Sequence, residues 1–452
     1  TETEKDTVGT DVIMHIKADE AGEKYSTYLE NWKLMMLIRK YSDYVRWPIV
    51  MDGETVNSRI PIWQRAKTEV TDEECVEWYK ETNRDQTDPA AVLRINAEGV
   101  VSYKAMLFIP GKDIDNGISG ATKKGIKLYC NGVLIMENCD KLLHDYFEFV
   151  RGVVDSPDLS LNISREILQH NRQLKVIGQN LEKKIKAELE KMMREDRPKY
   201  ETFWKNFGIH IKCGVCDEYG RYTDFLKDLL IFYTSEESMR SLKEYVDAMP
   251  ESQKAIYYAS ADTVKHAMAL PQCEEVRSRG YEILYLDHPI DETVLMQLRM
   301  YEGKGFVNVL TEDLGFQTEE EKKAAEEKVV ENKEVLDFIR DSIGDEKLKQ
   351  VTLSSKLVSS ACCLTSTGGF TLEMEKYFRN GPSEEMRKLR ADRVLELNAA
   401  HPAYLAIKKA YDDGDKDRAA KLSKILYAQS ELIAGVEIED PTAYADLVCS
   451  LF

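Results

Sequence analysis

Between residues 172 and 193 apolar side chains recur as Ile177, Leu181, Ile185, Leu189 and Met192, with Lys, Glu and Arg between them. Steps of four, four, four and three put all five on one stripe and predict a long helix from about Arg172 to Met193 with that face in a core. Upstream the period shortens to two. DVIMHIK (11–17) and VVSYKAMLFIP (100–110) alternate like strands, the second stopped by Pro110. GIKLYCNGVLIM (125–136) reads as a hairpin turning at Asn131-Gly132. KLMMLIRKYSDYVRWPIVM (33–51) is helical in its first half and stopped at Trp47-Pro48.

From Tyr200 to Met249 the pattern is mostly helical and aromatic-rich, as in a connector. AIYYAS, a helix through about Arg279, YEILYLD, a helix near Glu292–Met300 and GFVNVL then follow in strand–helix–strand–helix–strand order. That order predicts a small parallel α/β lobe. TEEEKKAAEEKVVENKE (318–334) is a mixed-charge helical linker, and LKQVTLSSKLVSSACCLTS (348–366) reads as paired strands. The tail is helical in three pieces: YLAIKKAY, DRAAKLSKILYAQSELIAG ending at Gly435, and PTAYADLVCSLF. These helices are apolar on one side. Either they pack across a two-fold axis as a four-helix arrangement, making a homodimer, or they bury against their own domain. The expected architecture is α/β (α+β overall): a two-lobed α/β middle region, then a mixed C-terminal domain ending in a helical dimerisation bundle. Its parts are a large α/β domain with helical connector at 11–230, a small α/β domain at 231–316, a charged linker at 317–349 and the dimerisation domain at 350–452.

Composition narrows the function classes. The 452 residues are 43% hydrophobic and 31% charged, enough for sizeable cores, with a formal net charge of −18. So acidic a chain lacks the general basic face that nucleic acid or an anionic membrane requires. Its apolar runs are short and broken by charge, and the polar start TETEKDTVGT has no signal-peptide core. Lacking an initiator Met, the sequence reads as a processed or cut form. Nine cysteines, an odd number and scattered, point to a reducing compartment such as cytosol. His210, Cys213 and Cys216 form H-x-x-C-x-x-C, but a zinc site wants four ligands in spaced pairs, and no second CxxC exists. No metal site is expected.

One stretch resists a purely structural reading. In DLSLNISREILQH (158–170), Asn162 or Ser164 can cap a helix whose apolar face begins at Ile167 and Leu168. Arg165 then sits in the first turn beside the positive end of the helix dipole, a mismatch of about 0.3–1 kcal/mol. Either Arg165 pairs with Asp155, Asp158 or Glu166, or it meets an anion from elsewhere.

Five stretches, taken in order, resemble the heat-shock protein 90 chaperones, their bacterial type most closely: RKYSDYVRWPI (39–49), EFVRGVVDSPDLSLNISREIL (148–168), IYYAS (256–260), MYEGK (300–304) and IEDP (438–441). The resemblance runs from about Asp11 to Phe452 and is to that family's middle and C-terminal domains. It implies an ATP-dependent molecular chaperone of protein folding and stress response, cytoplasmic and homodimeric through the C-terminal helices. ATP and Mg would be bound by an N-terminal domain that this stretch lacks, so no cofactor is expected within it and little ATPase activity from it alone. The ending VCSLF matches neither the acidic co-chaperone tail nor the retention tail of the eukaryotic members. In similar proteins the Arg at the position of Arg165 reaches the ATP γ-phosphate when the N-terminal domain docks, and Gln169 and Asn162 match the pattern around it. A guanidinium supplied from another domain stabilises charge on the transferring phosphoryl group and makes hydrolysis depend on closure. The resemblance also places a client-contacting amphipathic segment at TSTGGFTLEMEKYFRN (365–380), through Phe370, Leu372, Met374, Tyr377 and Phe378; the residue-level alternative is a core stripe. Trp63 matches a Trp in a middle-domain loop, either client-binding or simply packed. The expected partners are unfolded or partly folded proteins, not nucleic acid or membrane.

Two other classes remain beside this reading. A small-molecule α/β enzyme would need a convergent catalytic set, yet the sequence has no G-x-S-x-G, H-E-x-x-H, G-x-G-x-x-G or P-loop. A passive dimeric scaffold would hold partners without a cycle.

Overall fold

Among the described residues sixteen strands form four sheets, with helices between them in an α/β arrangement, in a computed structural model that describes residues 8–112, 125–159, 172–367, 370–379 and 383–451. The chain divides into two compact units, Thr1–Phe207 and Gly208–Phe452.

In the first unit, β1 (Val50–Met51) and β2 (Glu54–Thr55) form a small ribbon. The main sheet holds β3 (Ala91–Ala97), β4 (Tyr103–Ile109), β5 (Ile126–Cys130), β6 (Val133–Cys139) and β7 (Arg151–Asp155), in the order β3-β4-β7-β5-β6. Only β5 and β7 run parallel within it. β4 is a near-continuous apolar run because both its faces are covered: Met106, Leu107, Phe108 and Ile109 are all buried. Cys130 and Val133 pair across the two-residue turn Asn131-Gly132, whose φ values of 51° and 79° are those of a type I′ hairpin. Gly132 is needed there for a second reason, since a Cβ would lie 2.0 Å from the Tyr44 carbonyl oxygen. The helix Asp72–Asn83 starts in a capping box, with Thr71 accepting from the Glu74 N–H and Glu74 accepting from the Thr71 N–H. It contributes Cys75 and Tyr79 to a core shared with Trp63, Phe108 and Tyr129. The striped helix runs Arg172–Glu195, and Ile177, Leu181, Ile185, Leu189 and Met192 are all buried as their spacing predicts.

In the second unit, a six-stranded sheet has the order β12-β13-β10-β11-β8-β9. Its strands are β8 (Ile231–Ser235), β9 (Ser238–Ser241), β10 (Ile256–Ser260), β11 (Ile283–Leu286), β12 (Met300–Tyr301) and β13 (Lys304–Asn308). β10 pairs parallel with both β11 and β13, which is the expected crossover pattern. The third domain-sized element is a three-stranded sheet of β14 (Leu348–Leu353), β15 (Cys362–Thr367) and β16 (Asp392–Leu397) in the order β14-β16-β15. The helices Lys333–Ile343, Pro402–Asp412 and Lys416–Ile433 share its core through Leu336, Ile407 and Leu426, and the helix Pro441–Cys449 follows with no buried residue. No helix among the described residues is long and apolar enough to cross a membrane.

Several expectations need correction. Residues 11–17 alternate but form no strand, and Val12, Ile13 and Met14 are 78%, 94% and 80% exposed; alternation makes a strand only where a neighbour supplies the ladder. The connector 200–249 is mostly helical as expected, but between the helices Arg197–Cys216 and Leu242–Ala248 it also carries the hairpin β8–β9, which joins the sheet through β11. The helix expected through Arg279 breaks into Val264–Ala269 and Glu274–Ser278, because Pro271 cannot donate a helical hydrogen bond. The helix Asn31–Tyr41 stops six residues before Trp47. Finally, β14 and β15 do not pair with each other. β16 inserts between them, parallel to β14 and antiparallel to β15.

Candidate functional site

Arg165, Gln169 and Asn162 lie outside the described residues. Two of the acidic groups that could neutralise Arg165 within the chain are described. Asp155, at the end of β7, is buried and accepts from the Gln64 side chain at 2.8 Å, the Trp63 indole N–H at 3.3 Å and the Gly132 N–H at 3.5 Å. Asp158 accepts from the Ser102 N–H at 2.7 Å. Both carboxylates therefore already hold the backbone and side chains around the strand end. Trp63 is 6% exposed, and its ring meets Tyr44, Trp78 and Tyr129 edge-on or tilted, with centroids 4.8–5.8 Å away. In this arrangement the indole anchors a core.

The expected client segment forms the helix Leu372–Arg379. Its apolar residues divide by face. Leu372 is buried in the core of the three-stranded sheet, and Phe370 packs against that core while stacking on Phe378 at 6.0 Å. Met374 and Phe378 stay half-buried, which leaves an apolar patch at the surface. Backbone placement alone is described for Tyr377.

Glu375 on the opposite face explains why so short a helix is held. It is buried, accepts from the Ala391 N–H at 2.8 Å and lies 3.5 Å from the guanidinium of Arg393. Arg393 is itself 1% exposed; it also pairs with Glu431 at 2.7 Å and reaches the Tyr427 hydroxyl at 3.2 Å, and that hydroxyl donates to Asp345. Burial pushes the Glu431 carboxyl up, opposed by Arg393. This network ties the helix, β16 and the helix Lys416–Ile433 together with charge-assisted bonds. Its sequence signal is Arg393 in DRVLEL, which shares strand parity with Leu395 and Leu397 on the buried face.

A second unforeseen group joins the two sheets of this unit. Glu274 accepts from the N–H groups of Val358 and Ser359 and from the hydroxyls of Ser359 and Ser360, all at 2.7–2.9 Å. Partial burial raises its pKa, but these donors outweigh it and bring the carboxyl down to about 2. His210, Cys213 and Cys216 lie on the helix Arg197–Cys216, with Cys213 exposed and the Cys216 thiol pushed up to about 11 by burial. Among the described residues no group of three or more His, Cys, Asp or Glu is placed to hold a metal ion.

Comparison with known proteins bears on the whole chain. Residues 50–452 match the Hsp90 protein family. The chain is 42% identical over 468 residues to the chaperone protein HtpG of Bacillus subtilis (strain 168), covering 99% of this chain and 74% of that protein. It is 43% identical to chaperone protein HtpG of Clostridium perfringens (strain ATCC 13124), covering 100% and 74%. For chaperone protein HtpG of Alkaliphilus oremlandii (strain OhILAs) the identity is 41%, over 99% and 74%.

Proposed function

Because this chain belongs to the heat-shock protein 90 family, we propose that its chaperone role is coupled to ATP hydrolysis, with nucleotide and Mg held outside the residues of this chain. The observation that carries the reading is 41–43% identity to bacterial chaperones along 99–100% of the chain. In this reading Arg165 contacts the terminal phosphate on closure, Gln169 and Asn162 line the same approach, and the protein works in the cytoplasm. The engagement of Asp155 and Asp158 by neutral donors supports a role for Arg165 outside a local ion pair. Clients meet the half-exposed apolar side of the helix Leu372–Arg379, where a Met and aromatic rings suit many shapes. The C-terminal helices join two copies. The proposed domains are 11–230, 231–316 and 350–452, with the linker 317–349 giving its helix Lys333–Ile343 and the start of β14 to the core of the last.

The test is ATP binding and turnover, measured separately, in a protein that carries this chain together with its nucleotide-binding domain. Arg165→Ala should lower turnover at least a hundredfold, about 2.7 kcal/mol of barrier, with nucleotide affinity and melting temperature little changed. Unchanged turnover would make Arg165 an ordinary cation.

A further inference from the structure

Between the two sheets of the second unit lies a cleft that opens to solvent. One wall comes from residues between 270 and 311 of the six-stranded lobe and the other from residues 364–366, 371–373 and Ala434. Leu270, Leu310, Leu364 and Leu372 make much of it apolar. Two of the polar groups are unusual.

Gln272 lines the cleft at 3% exposure. Its Nε2 donates to the Leu364 carbonyl at 3.1 Å, while its buried Oε1 accepts from no group among the described residues. The Leu364 contact settles which way the amide points, since exchanging N and O would set two acceptors against each other. Leaving a buried acceptor without a donor is destabilising, so a donor is the missing partner. Glu292, 8% exposed, is the second group. The Ser260 hydroxyl and the Asn308 amide donate to it, the latter at 3.3 Å. Both are neutral donors. Among the described residues no cation pairs with Glu292, whereas its neighbour in the cleft, Glu373, has Lys376.

A buried carboxylate without a counter-charge, an acceptor without a donor and leucine walls define one ligand chemistry. We propose that this cleft binds a primary alkylammonium group, with the –NH3+ between Glu292 and Gln272 Oε1 and the alkyl chain against the leucines. The group comes either from a free amine or from a lysine side chain of a bound peptide. An ammonium has three donors and no acceptor, which suits this lining. Bound there, it touches both lobes.

The test is calorimetric titration of the whole chain with n-butylammonium chloride, against 1-butanol as the neutral counterpart of the same length. A lysine-containing tripeptide and its Nε-acetylated form make the second pair. Saturable binding of n-butylammonium or the lysine peptide, at least tenfold tighter than the neutral member of its pair, supports the site; the tighter of the two identifies the source. Glu292→Gln should weaken that binding at least tenfold while a thermal melt shows the fold retained, and Gln272→Met should weaken it too. If either variant fails to fold, the paired ligands on the wild-type chain decide. Equal binding of charged and neutral ligands, no saturable binding, or full affinity in a folded Glu292→Gln protein overturns the proposal.

Discussion

Glu274 shows how one side chain can link two sheets. Its carboxylate gathers five donors from the 358–360 loop, and a hydrogen bond to a charged group contributes about 1.5–3 kcal/mol. Its carboxyl titrates near 2 when folded against an ordinary value of 4.5. The folded state therefore binds this proton less readily than the unfolded chain. The stabilisation is fully present above pH 4.5 and is lost as pH falls from there through 2. Carboxyl titration by NMR should place Glu274 near 2. Glu274→Gln should destabilise the second unit by about 1.5–3 kcal/mol at pH 7 and remove that part of the acid dependence between pH 4.5 and 2. A Glu274 carboxyl titrating at an ordinary value would refute the account.

At the scale of elements, two helices carry apolar residues to different ends. Along Arg172–Glu195 the stripe is wholly buried, so Ile185→Ala removes packed methyl groups and should cost about 2–5 kcal/mol in denaturant unfolding. Lys184→Ala, one position away on the exposed face, should stay within about 0.5 kcal/mol. The helix Leu372–Arg379 divides its residues instead: Glu375 and Leu372 hold it in place, while Met374 and Phe378 remain half-exposed. If that patch contacts clients, a Met374→Ser, Phe378→Ser double variant should suppress client aggregation several-fold less well, with its melting temperature within a few degrees of the wild type. An equal loss of melting and of suppression would mark the patch as structural.

For the whole molecule, the C-terminal helices leave apolar surface uncovered. Leu405, Leu432 and Ile433 are 50%, 53% and 38% exposed, and Leu447 and Val448 on the helix Pro441–Cys449 are half-exposed. A second copy of the chain would cover such a surface. The chain should then run as a dimer in light scattering at micromolar concentration, and Leu432→Arg with Leu447→Arg should make it monomeric without unfolding it. A wild-type monomer at that concentration would remove dimerisation from the proposed cycle.

What was legible in the residues, and what was not, follows the range of the interactions concerned. The stripe 177–192, the Asn131-Gly132 turn, the stop at Pro110, the parallel order of β10, β11 and β13 and the three C-terminal helices all depend on neighbours within a few residues or on simple alternation of elements. Family resemblance was legible in motifs such as 148–168, and the comparisons agree with it. The failures are non-local. DVIMHIK alternates as well as any strand but meets no partner, and β14 and β15 are separated by a strand that arrives some 25 residues after β15. Arg393 and Glu375 are ordinary charged residues in the sequence; only folding brings Glu431 and Tyr427 beside them and makes burial of the charge affordable. The same holds for Glu292, buried with no cation beside it among the described residues, and for the unmatched acceptor of Gln272, which the fold brings to one cleft. By itself the sequence determined periodicity, turns and kinship, because local sterics and hydrophobic spacing are written residue by residue. Strand partners, buried ion networks and the acceptor-lined cleft were decided by tertiary structure, since desolvation and hydrogen-bond satisfaction depend on groups distant in the chain.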